Sequence, residues 1–138
     1  MSLTRRDTLA LGIGAVSLAA LPLRANAAVD DAIAAFTGGA AVSDGGVDLN
    51  APEIAENGNT VPIEVGADGA AAIMLLAAGN PTPSVATFNF GKLAGAGSAS
   101  TRIRLAGTQD VIAIARMEDG SFKRAQANVK VTIGGCGG

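Results

Sequence analysis

The sequence predicts an all-β protein: an immunoglobulin-like antiparallel β-sandwich with a short N-terminal helix and a flexible C-terminal arm. Three observations lead there. From Thr60 to Ile133, short apolar runs recur between breaks rich in Gly, Pro, Asn and Asp, the spacing of six or seven strands in two packed sheets. Only one stretch outside the leader, near Val29, carries a helical pattern. The chain then ends Gly134-Gly135-Cys136-Gly137-Gly138, a segment with little side chain to pack and the largest backbone freedom available. The organisation expected is residues 1–27 as a cleaved leader, 28–133 as the sandwich and 134–138 as the arm.

The leader opens with Arg5 and Arg6, continues through an apolar run from Leu9 to Leu23, and closes on Ala25-Asn26-Ala27, an A-x-A cleavage signal. At 1.5 Å per residue that run reaches about 22 Å of the roughly 30 Å needed to span a bilayer. Thr4-Arg5-Arg6-Asp7-Thr8-Leu9 resembles a twin-arginine (Tat) export motif, with Thr8 where phenylalanine is usual.

After the leader, "VDDAIAAFTGG" reads as a short helix. Ile33 and Phe36 fall one turn apart, Asp30 and Asp31 suit the positive N-terminal end, and Gly38 stops it. "AAVSDGGVDLNAPEIAENGNT" is turn-rich, with a possible short strand at Val47-Asp48-Leu49. "TVPIEVGAD" alternates Val61, Ile63 and Val65 against Pro62 and Glu64; Pro62 cannot donate to a ladder, so an edge strand or the start of one is expected. "AAIMLLAAG" is a continuous apolar run, as in a strand covered on both faces, and its periodicity also allows a buried helix. "NPTPS" separates it from "VATFNFG". In "STRIRLAG", Thr101, Ile103 and Leu105 point in and Arg102 and Arg104 point out. "QDVIAIARMED" continues in that style, Asp119-Gly120 marks a hairpin, and "SFKRAQANVKVTI" returns with Val129, Val131 and Ile133 inward.

The residues that are missing exclude whole classes of chemistry. There is no histidine and a single cysteine in 138 residues. A Cys/His zinc site, a C-x-x-C-H haem attachment, a Ser-His-Asp or Cys-His pair and an internal disulfide are therefore out of reach. Losing residues 1–27 removes three cations and one acid, leaving seven cations, eleven acids and a net charge of −4. That balance, with no Trp or Tyr, offers no footprint for nucleic acid or an anionic membrane.

An exposed thiol in an exported protein oxidises and cross-links unless it is used. Three readings of Cys136 are open: an accidental residue on a frayed end, a staple between two chains, and a covalent handle on a swinging arm. The thin glycine tether favours the handle, because it lets the sulfur enter narrow channels. No cation or base flanks the cysteine, the nearest being Lys130, so activation would come from whichever enzyme holds it. On this reading the chain is a carrier and not itself an enzyme. A ubiquitin-like use of the terminal Gly-Gly carboxylate needs ATP and fits the strand-rich pattern poorly.

The terminal Gly134-Gly135-Cys136-Gly137-Gly138, with "ENGNTVPIEV", "NPTPSVATFNF", "STRIRLAGTQDVIAIARMEDGSF" and "VKVTIGGCGG" in the same order, resembles the SoxY family. These are sulfur-carrier subunits of the periplasmic thiosulfate-oxidising (Sox) system. The resemblance implies that Cys136 holds thiosulfate-derived sulfur as an S-thiosulfonate and then a persulfide. It implies a heterodimer with SoxZ, and transient docking to a c-type-haem conjugating enzyme (SoxAX), a manganese-dependent hydrolase that releases sulfate (SoxB) and a molybdenum–haem sulfane dehydrogenase (SoxCD). Haem, Mn and Mo would belong to those enzymes, with no cofactor or metal in this chain. It implies periplasmic location through Tat, and leaves disulfide-linked SoxY–SoxY pairs possible. Arg102 and Arg104 are expected either to meet acidic partner groups or to form a solvated sheet face. The competing reading is a non-catalytic exported assembly protein cross-linked through its C-terminal cysteine.

Overall fold

The computed structural model describes residues 27–92 and 97–132. Arg5, Arg6, Ala25, Ile133, Gly134, Gly135, Cys136, Gly137 and Gly138 lie outside the described residues, as do residues 93–96.

A helix, α1, covers residues 27–37. Its last turn closes with the Gly38 N–H donating to the Ala34 carbonyl at 2.8 Å, and Gly38 takes φ 66°. Nine strands follow among the described residues: β1 (Val42–Asp44), β2 (Asp48–Asn50), β3 (Ile54–Ala55), β4 (Val61–Gly66), β5 (Ala70–Ala77), β6 (Ser84–Asn89), β7 (Ser98–Ile103), β8 (Gln109–Met117) and β9 (Phe122–Val131). One sheet runs β1-β9-β8-β5-β6, with β3 also on β9; the other runs β2-β4-β7. The long ladders are antiparallel, as expected. The two short segments β1 and β3, both in the stretch read as turns, add to β9 in parallel.

The core lies between the sheets. Val61, Ile63, Val65, Ile103 and Leu105 face Ile73, Leu75, Val111, Ala113 and Val129, all buried. Residues of opposite parity in β5 and β8 (Met74, Leu76, Ile112 and Ile114) are buried too, beneath Val29, Ile33 and Phe36 of α1. Phe36 meets Phe122 edge-on with ring centroids 6.0 Å apart, and the Arg116 guanidinium lies 5.9 Å from the Phe36 centroid. The helix is thus a third layer, and it explains why β5 reads as a continuous apolar run. It also corrects the reading of β8, which is covered on both faces and not half-buried.

β4 is the middle strand of its sheet and not an edge, while Pro62 falls at its second residue, the start of the strand. The proline is tolerated because β2 pairs only with Glu64, Val65 and Gly66. At Pro62 the one partner is Arg102 of β7, so no ladder bond is demanded on the other side.

Two ends result. The hairpin end holds the β8–β9 turn, a three-residue loop in which Gly120 N–H donates to the Met117 carbonyl at 3.0 Å and Met117 N–H to the Ser121 carbonyl at 2.8 Å. Gly120 there has φ 87°, the left-handed residue such loops require. The arm end holds the β5–β6 loop, the crossing from β7 to β8 and the last residues of β9.

Candidate functional site

Chemistry in this chain is expected at the arm end, because β9 delivers Cys136 from there. The end is irregular, and irregular backbone must find partners outside a ladder. Here side chains supply them. Gln109, 7% exposed, accepts the Gly79 N–H on Oε1 at 2.9 Å and donates from Nε2 to Asn80 Oδ1 at 2.9 Å and the Gly107 carbonyl at 3.1 Å. Asn80 Oδ1 also accepts the Ala106 N–H at 2.9 Å, while its Nδ2 donates to the Arg104 carbonyl at 2.7 Å. One amide pair therefore ties the β5–β6 loop to the β7–β8 crossing. No buried side-chain polar atom among the described residues lacks a partner.

The root of the arm is held from two sides. Val131 N–H donates to Thr108 Oγ1 at 3.0 Å, and on the opposite edge Lys130 N–H and Thr132 N–H donate to the carbonyls of Glu53 and Ala55 at 2.9 and 3.0 Å. β3 is short, yet it fixes β9 up to the last described residue. Among the described residues, Ile54 beside it is the large apolar side chain left most open, at 58% exposure.

Both arginines singled out in the sequence are exposed and project from β7 and its continuation. Arg102 donates to Thr60 Oγ1 at 3.5 Å. Arg104 lies further along and lines an open cleft of about 400 Å³ with Asn80, Pro81, Thr82 and Ala106. The structure places Arg104 against the "NPT" loop, a neighbour 24 residues away that spacing alone does not reveal. Asn80, Thr108 and Gln109 are the residues that sequence reasoning missed. Gln109 did leave a signal, because it shares the inward register of Val111, Ala113 and Ala115.

The opposite end differs chemically. At the β8–β9 turn, the Ser121 hydroxyl and backbone N–H donate to Asp119 Oδ1 at 2.6 and 2.9 Å and hold that carboxyl below its ordinary range, with a smaller contribution from Lys123. Among the described residues no group of three or more His, Cys, Asp or Glu is placed to hold a metal. No helix there is long and apolar enough to cross a membrane.

With this geometry in hand, the chain can be compared with known proteins. Residues 33–136 match the family described as "Sulfur oxidation protein SoxY". The sulfur carrier protein SoxY from Chlorobium limicola f thiosulfatophilum is similar in structure, with a TM-score of 0.69 at 35% identity over 78% of this chain and 99% of that one. A superoxide reductase (neelaredoxin) from Ignicoccus hospitalis shares the fold alone, with a TM-score of 0.55 at 15% identity over 62% and 78% of the two chains. No curated protein matches. A family match across three-quarters of the sequence, reaching Cys136, together with the architecture of a solved SoxY at that identity, makes this chain a member of the SoxY family.

Proposed function

We propose that this chain is the sulfur carrier of a periplasmic thiosulfate-oxidising system, holding its cargo on Cys136. The observation that carries this reading is that the family match extends to Cys136, the single thiol of the sequence, set among four glycines. The anchored root at Val131 and Thr132 supports it, because a moving handle works best from a fixed point.

The chemistry balances as follows. The Cys136 thiolate and thiosulfate join through a new S–S bond, giving Cys–S–S–SO₃⁻ and releasing two electrons to a c-type-haem enzyme (SoxAX). Water then attacks the terminal sulfonate sulfur, yielding sulfate, two protons and a persulfide, Cys–S–S⁻. That step belongs to a manganese hydrolase (SoxB). Oxidation of the outer sulfur to Cys–S–SO₃⁻ takes up three waters and gives up six electrons and six protons to a molybdenum–haem dehydrogenase (SoxCD). A second hydrolysis returns the thiolate. With no histidine in the chain, the carrier supplies the sulfur and the partners supply the bases, metals and electron acceptors.

A heterodimer with SoxZ and export through Tat, with Arg5 and Arg6 as the signal and cleavage after Ala27, complete the reading. The test is the intact mass of native protein from thiosulfate-grown cells, before and after reductant, with a C-terminal peptide map. Sulfur-sized and sulfonate-sized increments on Cys136, removed by reductant, are expected. A constitutive disulfide dimer carrying no added sulfur would favour the cross-linked assembly protein instead.

A further inference from the structure

We infer that Asn57–Gly58, in the turn between β3 and β4, is a site of spontaneous covalent modification. The asparagine converts to aspartate and isoaspartate, and the isoaspartate form loosens the hold of β3 on the end of β9. The inference does not depend on what Cys136 carries.

The residue pair sets the chemistry. Once the Gly58 amide has given its proton to hydroxide, its nitrogen attacks Cγ of Asn57. A five-membered succinimide closes, the Cγ–Nδ2 bond breaks, and ammonia leaves with a proton taken from water. Water then opens the ring. Attack at Cγ gives aspartate; attack at the main-chain carbonyl carbon leaves the chain running through Cγ, which is isoaspartate, one methylene longer. One water is consumed and one ammonia released, with no redox change. Glycine in second place matters because it sets no Cβ beside the attacking nitrogen.

The fold singles out this asparagine. Asn57 is exposed, so water reaches its side-chain amide. Its Oδ1 accepts the Asn59 N–H at 3.0 Å, a donor already aimed at the oxygen that gains negative charge as the nitrogen adds. Gly58 is buried, and among the described residues its N–H has no hydrogen-bond partner, so no bond is lost when the proton goes. The other described asparagines are each held back. Asn80 precedes Pro81, whose nitrogen has no proton to give. The amides that follow Asn59 and Asn89 are engaged, Thr60 N–H with the Asn57 carbonyl at 3.4 Å and Phe90 N–H with the Ala71 carbonyl at 2.9 Å. Asn50 and Asn128 sit in strands with their side-chain amides donating to Glu64 and Asp110 at 3.1 and 2.9 Å.

Position gives the conversion a consequence. The Ala55 carbonyl, two residues before Asn57, accepts the Thr132 N–H at 3.0 Å, and the Gly58 carbonyl accepts the Leu105 N–H at 2.8 Å. The pair thus lies between a tie to the end of β9 and a tie to the continuation of β7. An added methylene between the two upsets the spacing that both bonds need. β3 holds β9 through Ile54 and Ala55 alone, so the Thr132 bond is the one expected to yield.

The test incubates the full mature chain, folded and with its thiol capped, in mildly alkaline buffer. Peptide mass mapping reads the exchange of amide for acid, and isoaspartyl methyltransferase labelling separates isoaspartate from aspartate. Conversion at Asn57 ahead of every other described asparagine is expected, faster as pH rises. Gly58→Ala should slow it several-fold, and Asn57→Ser, which keeps an oxygen for the Asn59 N–H, should stop it. In the isoaspartate form, amide hydrogen exchange at Thr132 should be about five-fold faster, the protection of one hydrogen bond. Asn57→Asp and Asn57→Ser should exchange there like the parent, and the Gly79 N–H held by Gln109 should be unchanged throughout. Another described asparagine converting first, or a folded chain inert where the urea-unfolded chain reacts, would overturn the site. Parental exchange at Thr132 in the isoaspartate form, or equal acceleration in Asn57→Asp, would overturn its link to β9. None of these readouts involves Cys136, so they stand apart from the native mass that decides the carrier reading.

Discussion

The two ends of the sandwich are closed by different means. The hairpin end relies on backbone: a three-residue turn, a left-handed Gly120 and an aspartate bonded two residues along. The arm end relies on side chains, with Gln109, Asn80 and Thr108 bonding backbone groups of segments distant in sequence. A tight turn needs no outside help, whereas a long crossing between sheets must be braced. The difference shows that side-chain hydrogen bonds hold the crossing and the last residues of β9 together at this end.

Experiments that break this contrast can be ranked by size. The largest effect is functional. Cys136→Ser should abolish sulfur loading in the reconstituted pathway and leave the unfolding free energy in urea within about 0.5 kcal/mol of the parent. Next is Gln109→Leu. It removes the partner of the Gly79 N–H and of Asn80, so a loss of about 2–4 kcal/mol is expected in urea unfolding; no loss would mean that side chains do not brace this end. Gly79→Ala follows, since a Cβ there would stand 2.9 Å from the Gln109 Cβ. About 1–3 kcal/mol of overpacking strain is expected in the same assay. Gly120→Ala should cost about 1 kcal/mol, the left-handed penalty less the unfolded-chain gain.

The smallest effect is at Asp119, whose depressed carboxyl stabilises the fold above the ordinary carboxylate range and ceases to do so as acid protonates it. Asp119→Ala should therefore lie further below the parent at pH 7 than at pH 3. A gap that grew on acidification would reverse the sign and remove the Ser121 interaction as its cause.

Much of the contrast was legible in the residues. β4 and β7 show alternation because each has one face to solvent, and β5 shows a continuous run because α1 covers its second face. β1 and β3 were invisible, since segments of three and two residues owe their extended form to β9 and not to their own pattern. Pro62 marks the start of β4 and not an edge strand, because a strand can be central over part of its length and free beside the proline. At the site, Cys136 stood out by isolation. Asn80 did not, and Gln109 showed only through its inward register, because their bonds join residues 24 to 30 apart in sequence and local composition carries no trace of such pairs.

The clamp on Val131 and Thr132 has a consequence for whatever binds this protein. On the proposed carrier role, the contour from Thr132 to Cys136 bounds the reach of the sulfur, and a docked reactive centre would meet it at an effective concentration on the order of millimolar or more. Turnover is then governed by how long a partner stays, not by how dilute the carrier is. A catalytic centre set deeper than a few residues of contour must bring its own funnel wide enough to swallow bare backbone.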